Sequence, residues 1–422
     1  MASYNLKFCS AFGYASRVCD HFARIVDRIL ESAPFVESIL VVGSAARGEL
    51  SYLDTDEDFR LFSDYEFLLL TRQNVDKAGQ YSLGLDIDQL GHRLNPASPL
   101  FHVDLTWYEI PRLPRLKRTI AVFEQKATGK VIFGQDRRHL MPDVTAQNLD
   151  RKNANEILYK RLWALLLYLP QEFFESCLTP ETMNVATYVL ARNALDLTTV
   201  LLPYEGVLLP SYVQRVEHVA ADYTSLQLGT AFGADFPQFL RTCLASRNTL
   251  SWKGSLIELY TRVVGYLELA LRYVLARQGR SVDDTSRALT VQSPLIFDEV
   301  LPKRAEVRRA LRVLWGRRSL RQALQWPGLA HKGLLTACLL HMHRSMIAHL
   351  NGNDSRALAS MESARSLLDM LASRPLSPWE PDEPFIHRWL ALRRDCGYFW
   401  WEFVRKRTPV FYRRIWSLTA YE

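Results

Sequence analysis

The two-residue alternation of apolar and polar side chains stops near residue 150 and does not return. Before that point, short β-rich runs alternate with helical segments. Beyond it, apolar side chains keep the three-to-four-residue spacing of helices that bury one face. This break constrains the fold more than any other feature, because one chain must join a sheet to a separate helical mass. The class expected is α/β (α+β), with a mixed sheet in a first domain over 1–148. A large all-α region follows, read as a bundle over 149–285 and a helical C-terminal region over 286–422. A chain of 422 residues is long enough for two or three domains.

In the front part, "SRVCDHFARIVDRILES" (16–32) spaces Val18, Phe22, Ile25, Val26, Ile29 and Leu30 as a helix would. "VESILVVGS", "DYEFLLLT", "LFHVDLTWYEI" and "GKVIFGQD" read as four strands. The third alternates, with Phe101, Val103, Leu105 and Trp107 on one face and His102, Asp104 and Thr106 on the other. The rear carries long helical stretches, among them 155–170, 182–202, 256–278, 306–324, 332–350 and 354–373. The polar segment "RQGRSVDDTSRALTVQSP" (277–294) reads as a break. The tail from 375 reads as a proline-rich loop and then a docked terminal helix.

Six cysteines without CxxC spacing point to reduced thiols and away from a zinc site or a disulfide framework. The N-terminus lacks a long apolar run, so no signal peptide is expected. No run of 18 or more uncharged apolar residues occurs, so no membrane partner is expected, and the location read is cytoplasmic. The net charge of +7 is unevenly placed. Residues 1–150 hold 17 basic and 20 acidic side chains, and the remainder holds 35 and 25. An acidic front and a basic rear suit a metal site beside a surface that attracts phosphates, although a solvated Arg-rich helical surface has the same composition.

The chemistry concentrates in "LVVGSAARGELSYLDTDEDFRLFSDYEFLLLT" (40–71), where Asp64 and Glu66 sit in an apolar strand. Residues i and i+2 of a strand face the same way, so these two carboxylates share a face. Asp104 lies on the polar face of the third strand. If the two strands are neighbours, three carboxylates converge, and their repulsion calls for a cation. Hard oxygen donors favour Mg²⁺ or Mn²⁺. Gly43 and Ser44 end the preceding strand, and a glycine turn lets backbone N–H groups and a hydroxyl approach phosphate oxygens. Arg47 lies one turn on and can pair with a phosphate or with Glu49.

Taken together, "VVGSAARGE…SDYEFLLL…HVDLTW" resembles the DNA polymerase β-like nucleotidyltransferase superfamily, whose signature is a strand, Gly-Ser, a spacer, Asp-x-Asp or Asp-x-Glu, then a third acid. "GSAARGE" is similar to the small bacterial members. "FEQKATGKVIFGQDRRHL" and "YVLARNALDLTTVLL" resemble segments of the aminoglycoside-type members with a helical C-terminal domain. The resemblance spans roughly residues 20–200. It implies a nucleotidyltransferase domain at the front and an acceptor cleft shaped by the helices. It also implies Asp64, Glu66 and Asp104 as catalytic and metal-binding residues. Gly43, Ser44 and Arg47 would hold the nucleotide. One departure is the spacer: 19 residues separate Ser44 from Asp64, more than the family usually has. The pair Asp56 and Asp58 follows Ser44 at the usual spacing, but "LDTDEDFR" has no apolar face and reads as a surface insert over 50–62.

The function so read is Mg²⁺-dependent transfer of a nucleoside monophosphate, AMP from ATP in the simplest case. The acceptor would be a hydroxyl of a small molecule or a protein, and pyrophosphate would leave. The rival from another class is a regulatory or antitoxin-type interaction protein on the same scaffold, binding nucleic acid or a partner through its basic helical half. The Arg-rich segment 303–321 is the candidate for that contact, and an amphipathic helix with a charged outer face is its plainer reading. Trp107 and Tyr108 could stack on a base or simply pack in the sheet. Arg344 and His349, at Arg-x4-His, resemble the ribonuclease motif of HEPN domains. The plainer reading there is a helix with His341, His343 and His349 on a partly exposed face.

Overall fold

The structure is a computed structural model that describes residues 4–55, 58–98, 100–279, 284–297, 331–371, 376–380 and 382–404. The sheet consists of β1 (Val36–Val42), β4 (Tyr65–Thr71), β5 (Val103–Glu109) and β6 (Lys130–Gly134) in the order β5-β4-β1-β6. β4 and β5 run parallel, and β1 is antiparallel to both β4 and β6. Helices α1 (Lys7–Ala11), α2 (Ser16–Ser32), α3 (Gly43–Ala46), α4 (Lys77–Leu94) and α5 (Ile120–Thr128) complete the front. The apolar side of α2 covers one face, where Phe22, Ile25 and Ile29 meet Val41, Tyr65 and Phe67. Leu40, Val42, Leu68 and Leu70 pack on Leu113 and Met141 across the other face. Two covered faces explain why β1 and β4 read as continuous apolar runs.

The insert read as a surface loop contains a β-hairpin. β2 (Tyr52–Asp54) pairs with β3 (Phe59–Leu61), Tyr52 opposite Leu61. Its last residues run inward. Leu61 is buried in the sheet core, and Phe62 is buried in the helical core beside Tyr188.

The rear is helical: α6 (Arg151–Tyr168), α7 (Gln171–Phe174), α8 (Pro180–Leu201), α9 (Tyr212–Asp222), α10 (Leu228–Phe232), α11 (Phe236–Thr249), α12 (Leu256–Ala276), α13 (Thr285–Ile296), α14 (His331–Leu350), α15 (Asp354–Leu371) and α16 (Phe385–Val404). Side-chain caps start several of them. Asp150 accepts from Asn153 N–H, Thr179 forms a capping box with Thr182, and Ser255 accepts from Glu258 N–H. The 277–294 segment is not a simple break: α13 occupies its second half, because Leu289 and Ile296 have an apolar core to enter. That same core takes Leu162 from α6, Leu195 from α8, Tyr260 from α12, Leu339 from α14 and Trp389 from α16. Buried Arg393 of α16 donates to the carbonyls of Leu166 and Leu169, both at 2.6 Å, satisfying acceptors that the end of α6 leaves open. The stretch Pro180–Glu205 is long and apolar enough to cross a bilayer, yet 94% of its apolar window is buried inside the protein. It is a core helix here.

A buried ion network joins the sheet to the helices. Arg47 Nε lies 2.7 Å from Glu49 Oε2, and Arg47 Nη1 lies 2.9 Å from Glu124. Glu49 Oε1 accepts from the backbone N–H of Tyr212 at 2.7 Å, capping α9 from outside. Arg247 donates to the Glu49 carbonyl at 2.7 Å, and Arg215 pairs with Glu124. Burial alone would lower the pKa of Arg47, but Glu124 and Glu49 outweigh it and raise it.

His343 is fully buried, which corrects the expectation of a partly exposed face. Its Nδ1 accepts from Tyr260 Oη at 2.7 Å and its Nε2–H donates to the Leu162 carbonyl at 2.9 Å, so the ring is neutral. Burial, aided by Arg393, pushes its pKa down to about 4.

Two outcomes follow. Glu49→Gln leaves Arg47 short of a buried counter-charge and costs about 3 kcal/mol or more in chemical denaturation. The unfolded chain protonates His343 near its ordinary value of 6.5 while the native protein resists to about 4. Its contribution is therefore complete above pH 6.5 and is lost as pH falls toward 4. His343→Gln should flatten the fall in melting temperature across that window.

Candidate active site

Register assembles the site. In the parallel pair of β4 and β5, Glu66 stands opposite Asp104. Asp64 comes two residues before Glu66, so it projects from the same face. All three carboxylates thus meet at the start of these strands, where the sheet gives way to α6 and α8. Burial pushes the Glu66 carboxyl up to about 7, and the neighbouring charges of Asp64 and Asp104 push the same way.

Gly43 opens the turn after β1 with φ of 65°. A Cβ there would stand 2.2 Å from Glu66 Oε1, so only glycine lets the turn approach the acid. Ser44 lies beside it in α3, and its carbonyl accepts from the N–H groups of Arg47 and Glu49. Arg47 does not join the site as a phosphate ligand. Its guanidinium has only 7% of its side-chain surface exposed and is taken up by Glu49 and Glu124. Of the two roles the sequence left open, the structure selects the ion pair.

His102 stands between two of the acids. Its Nδ1 is 3.3 Å from Asp64 Oδ1 and its Nε2 is 3.1 Å from Asp104 Oδ2. Burial would lower its pKa, but Asp64 and Asp104 outweigh this and raise it to about 10, so the ring is cationic at neutral pH. Asp104 is held below the usual carboxylate range: burial works against this, and His102 overcomes it.

Asp64 and Asp104 form one side of a cleft of about 300 Å³ whose opposite wall comes from α6 and α8. Arg192 of α8 reaches back to Asp64, with Nη2 3.6 Å from Oδ2. Lys160, Arg161, Trp163 and Tyr188 also line the cleft. None of these helix residues was singled out from the sequence. The available signal was a cation inside an otherwise apolar helix, as in "YVLARNALDL", the same kind of anomaly that marked the acids.

Other sequence candidates lie elsewhere. Asp58 is in the hairpin, 2.5 Å from Arg60, and Asp56 lies outside the described residues. Trp107 stacks on Phe35 at 6.5 Å, and with Tyr108 it lines a separate groove toward the far end of β5. Arg344 is bound to Glu268 and Ser286, whereas His349 pairs with Asp354 and stacks on Phe385. The two are not joined in one site. The Arg-rich segment 303–321 lies outside the described residues.

Carboxylates are the donors a hard dication takes, and burial with Asp64 and Asp104 raises the Glu66 carboxyl. The set is not closed, however. Among the described residues, no group of three or more His, Cys, Asp or Glu side chains is placed so as to hold a metal ion. His102 occupies the position between Asp64 and Asp104 that a cation would share. Comparison with family models, curated proteins and solved structures finds no match for this chain.

Gly43→Ala places a methyl against the Glu66 carboxylate at a backbone angle that L-residues avoid. It should lower stability by about 1–3 kcal/mol in denaturant unfolding.

Proposed function

We propose that the protein is a divalent-metal-dependent nucleotidyltransferase and that its sheet-bearing part has the nucleotidyltransferase fold. The observation that carries this reading is the register of β4 and β5, which brings Asp64, Glu66 and Asp104 together beside the Gly43–Ser44 turn. A hydroxyl oxygen of the acceptor attacks the α-phosphorus of a nucleoside triphosphate, ATP in the simplest case. The new O–P bond forms as the bond to the bridging oxygen breaks, and pyrophosphate departs with that electron pair. The hydroxyl proton passes to Asp104. Gly43 and Ser44 hold the triphosphate by backbone N–H groups and the hydroxyl. Asp64, Glu66 and Asp104 would hold Mg²⁺ or Mn²⁺, which supplies charge neutralisation at the reacting phosphate. Arg192 stabilises negative charge from the opposite wall.

One observation favours a second reading. His102 already bridges Asp64 and Asp104, as it would in a scaffold that keeps the acids but has given up the metal. Such a protein would bind a partner and transfer nothing.

Incubation with α-labelled ATP, Mg²⁺ and cell extract separates the two. Transfer that falls by about 10² or more in Asp64→Asn and in Asp104→Asn supports the enzyme. Absence of transfer with every nucleoside triphosphate overturns it. In the enzyme, His102→Gln frees both carboxylates and should tighten Mn²⁺ binding in titration calorimetry.

A further inference from the structure

The cleft wall opposite Asp64 and Asp104 carries a cation, Lys160, that the transfer step described above does not use. We propose that this cleft receives an acceptor bearing a phosphate or carboxylate on an apolar or aromatic body, and that it turns polycationic acceptors away. The inference rests on the nucleotidyltransferase reading and names its acceptor class.

Three cations of α6 and α8 line the cleft: Lys160, Arg161 and Arg192. Arg161 is committed to Asp196 at 3.0 Å. Arg192 pairs with Asp64 at 3.6 Å, donates to the Tyr188 hydroxyl at 3.4 Å and lies over the Tyr188 ring. Lys160 has neither a hydrogen bond nor an ion pair among the described residues, and the nearby carboxylate of Glu156 is taken by Lys332. The wall therefore offers an incoming anion one uncommitted cation, Lys160, and a second, Arg192, that is shared with Asp64. A polycation entering here would meet like charge on this wall. Between these charges the surface is apolar, with Trp163, Leu167 and Tyr168. Asn193 adds a polar handle. It is 1% exposed, and its Nδ2 donates to the Val189 carbonyl at 2.6 Å. Its Oδ1 has no partner, which leaves an acceptor for a ligand hydroxyl.

The anion these cations await could be the triphosphate or the acceptor. The lining decides for the acceptor. Asp64, His102 and Asp104 border the cleft, whereas Gly43, Ser44 and Glu66 do not. The Gly43–Ser44 turn is thus not part of this lining.

The test uses the full chain with Mg²⁺ and three ligands of one shape: 4-nitrophenyl glucoside, its 6-phosphate and its 6-amino-6-deoxy analogue. Binding is followed by titration calorimetry. The phosphate should bind at least about tenfold more tightly than the amine. Lys160→Gln should narrow that gap, and Lys160→Glu should close or reverse it. The acceptor class is overturned if the amine binds as well as the phosphate, or if the preference is unchanged in Lys160→Glu. It is also overturned if a non-hydrolysable ATP analogue displaces the phosphate competitively, since the wall then belongs to the nucleotide. Nucleotidyl transfer is read separately as ATP-dependent pyrophosphate release with cell extract. Its absence overturns the reaction, whereas its presence with the amine as the better ligand overturns the acceptor class alone.

Discussion

The pairing of β4 with β5 is the constraint on which the rest depends. A parallel pair cannot be closed by a tight turn, so the chain must leave the sheet and return through a crossover that contains α4. That detour sets the register, and with a side-chain period of two, a slip of one residue would turn Asp104 to the opposite face. The apolar pattern of the strands prevents the slip. Val103 belongs to the core under α2, and Tyr65, Phe67 and Leu69 fill the same layer. Burial of such side chains contributes about 1.5–3 kcal/mol each. Packing on one face therefore positions the acids on the other.

A site between two bodies also needs their relation fixed. Glu49 does this from the turn that follows Gly43, because its carboxylate caps α9 while its carbonyl holds Arg247 of α11. The acids and the cationic wall thus share a frame that begins six residues after Gly43. Asp196, which holds Arg161, is also tied to that frame through the Tyr212 hydroxyl at 2.7 Å. Arg47 belongs to the frame as well, so it acts on the cleft by keeping its walls in place.

What could be read from the sequence was local and periodic. The strands were legible from β-rich runs, and the acids stood out because a charge in such a run costs energy unless something uses it. The hairpin was hidden because its strands are three residues long and its turn is acidic, so neither period nor propensity marks it. The role of Arg47 depended on Glu124, 77 residues away, and no local pattern reports such a partner. Arg344 and His349 show the opposite error, in which a spacing suggests a site. Five helical residues turn the chain through about 140°, so the two side chains diverge to different partners. Lys160 and Arg192 were visible as cations among apolar neighbours, but only the fold says that both face one cleft.

Charge balance connects these parts. With His102 and Arg192 in place, Asp64 and Asp104 are balanced, and Lys160 is left as surplus positive charge on the cleft wall. A dication that took over Asp64 and Asp104 would release His102 from its partners and add to that surplus. The ligands that then restore balance are anions. On the proposed reading a triphosphate would supply some of that charge, and the cleft wall would be answered by the acceptor. Negative charge entering from the α6–α8 side therefore meets Lys160 and the Asp64-paired Arg192. This asymmetry follows from where α6 and α8 place their basic residues relative to the β4–β5 edge.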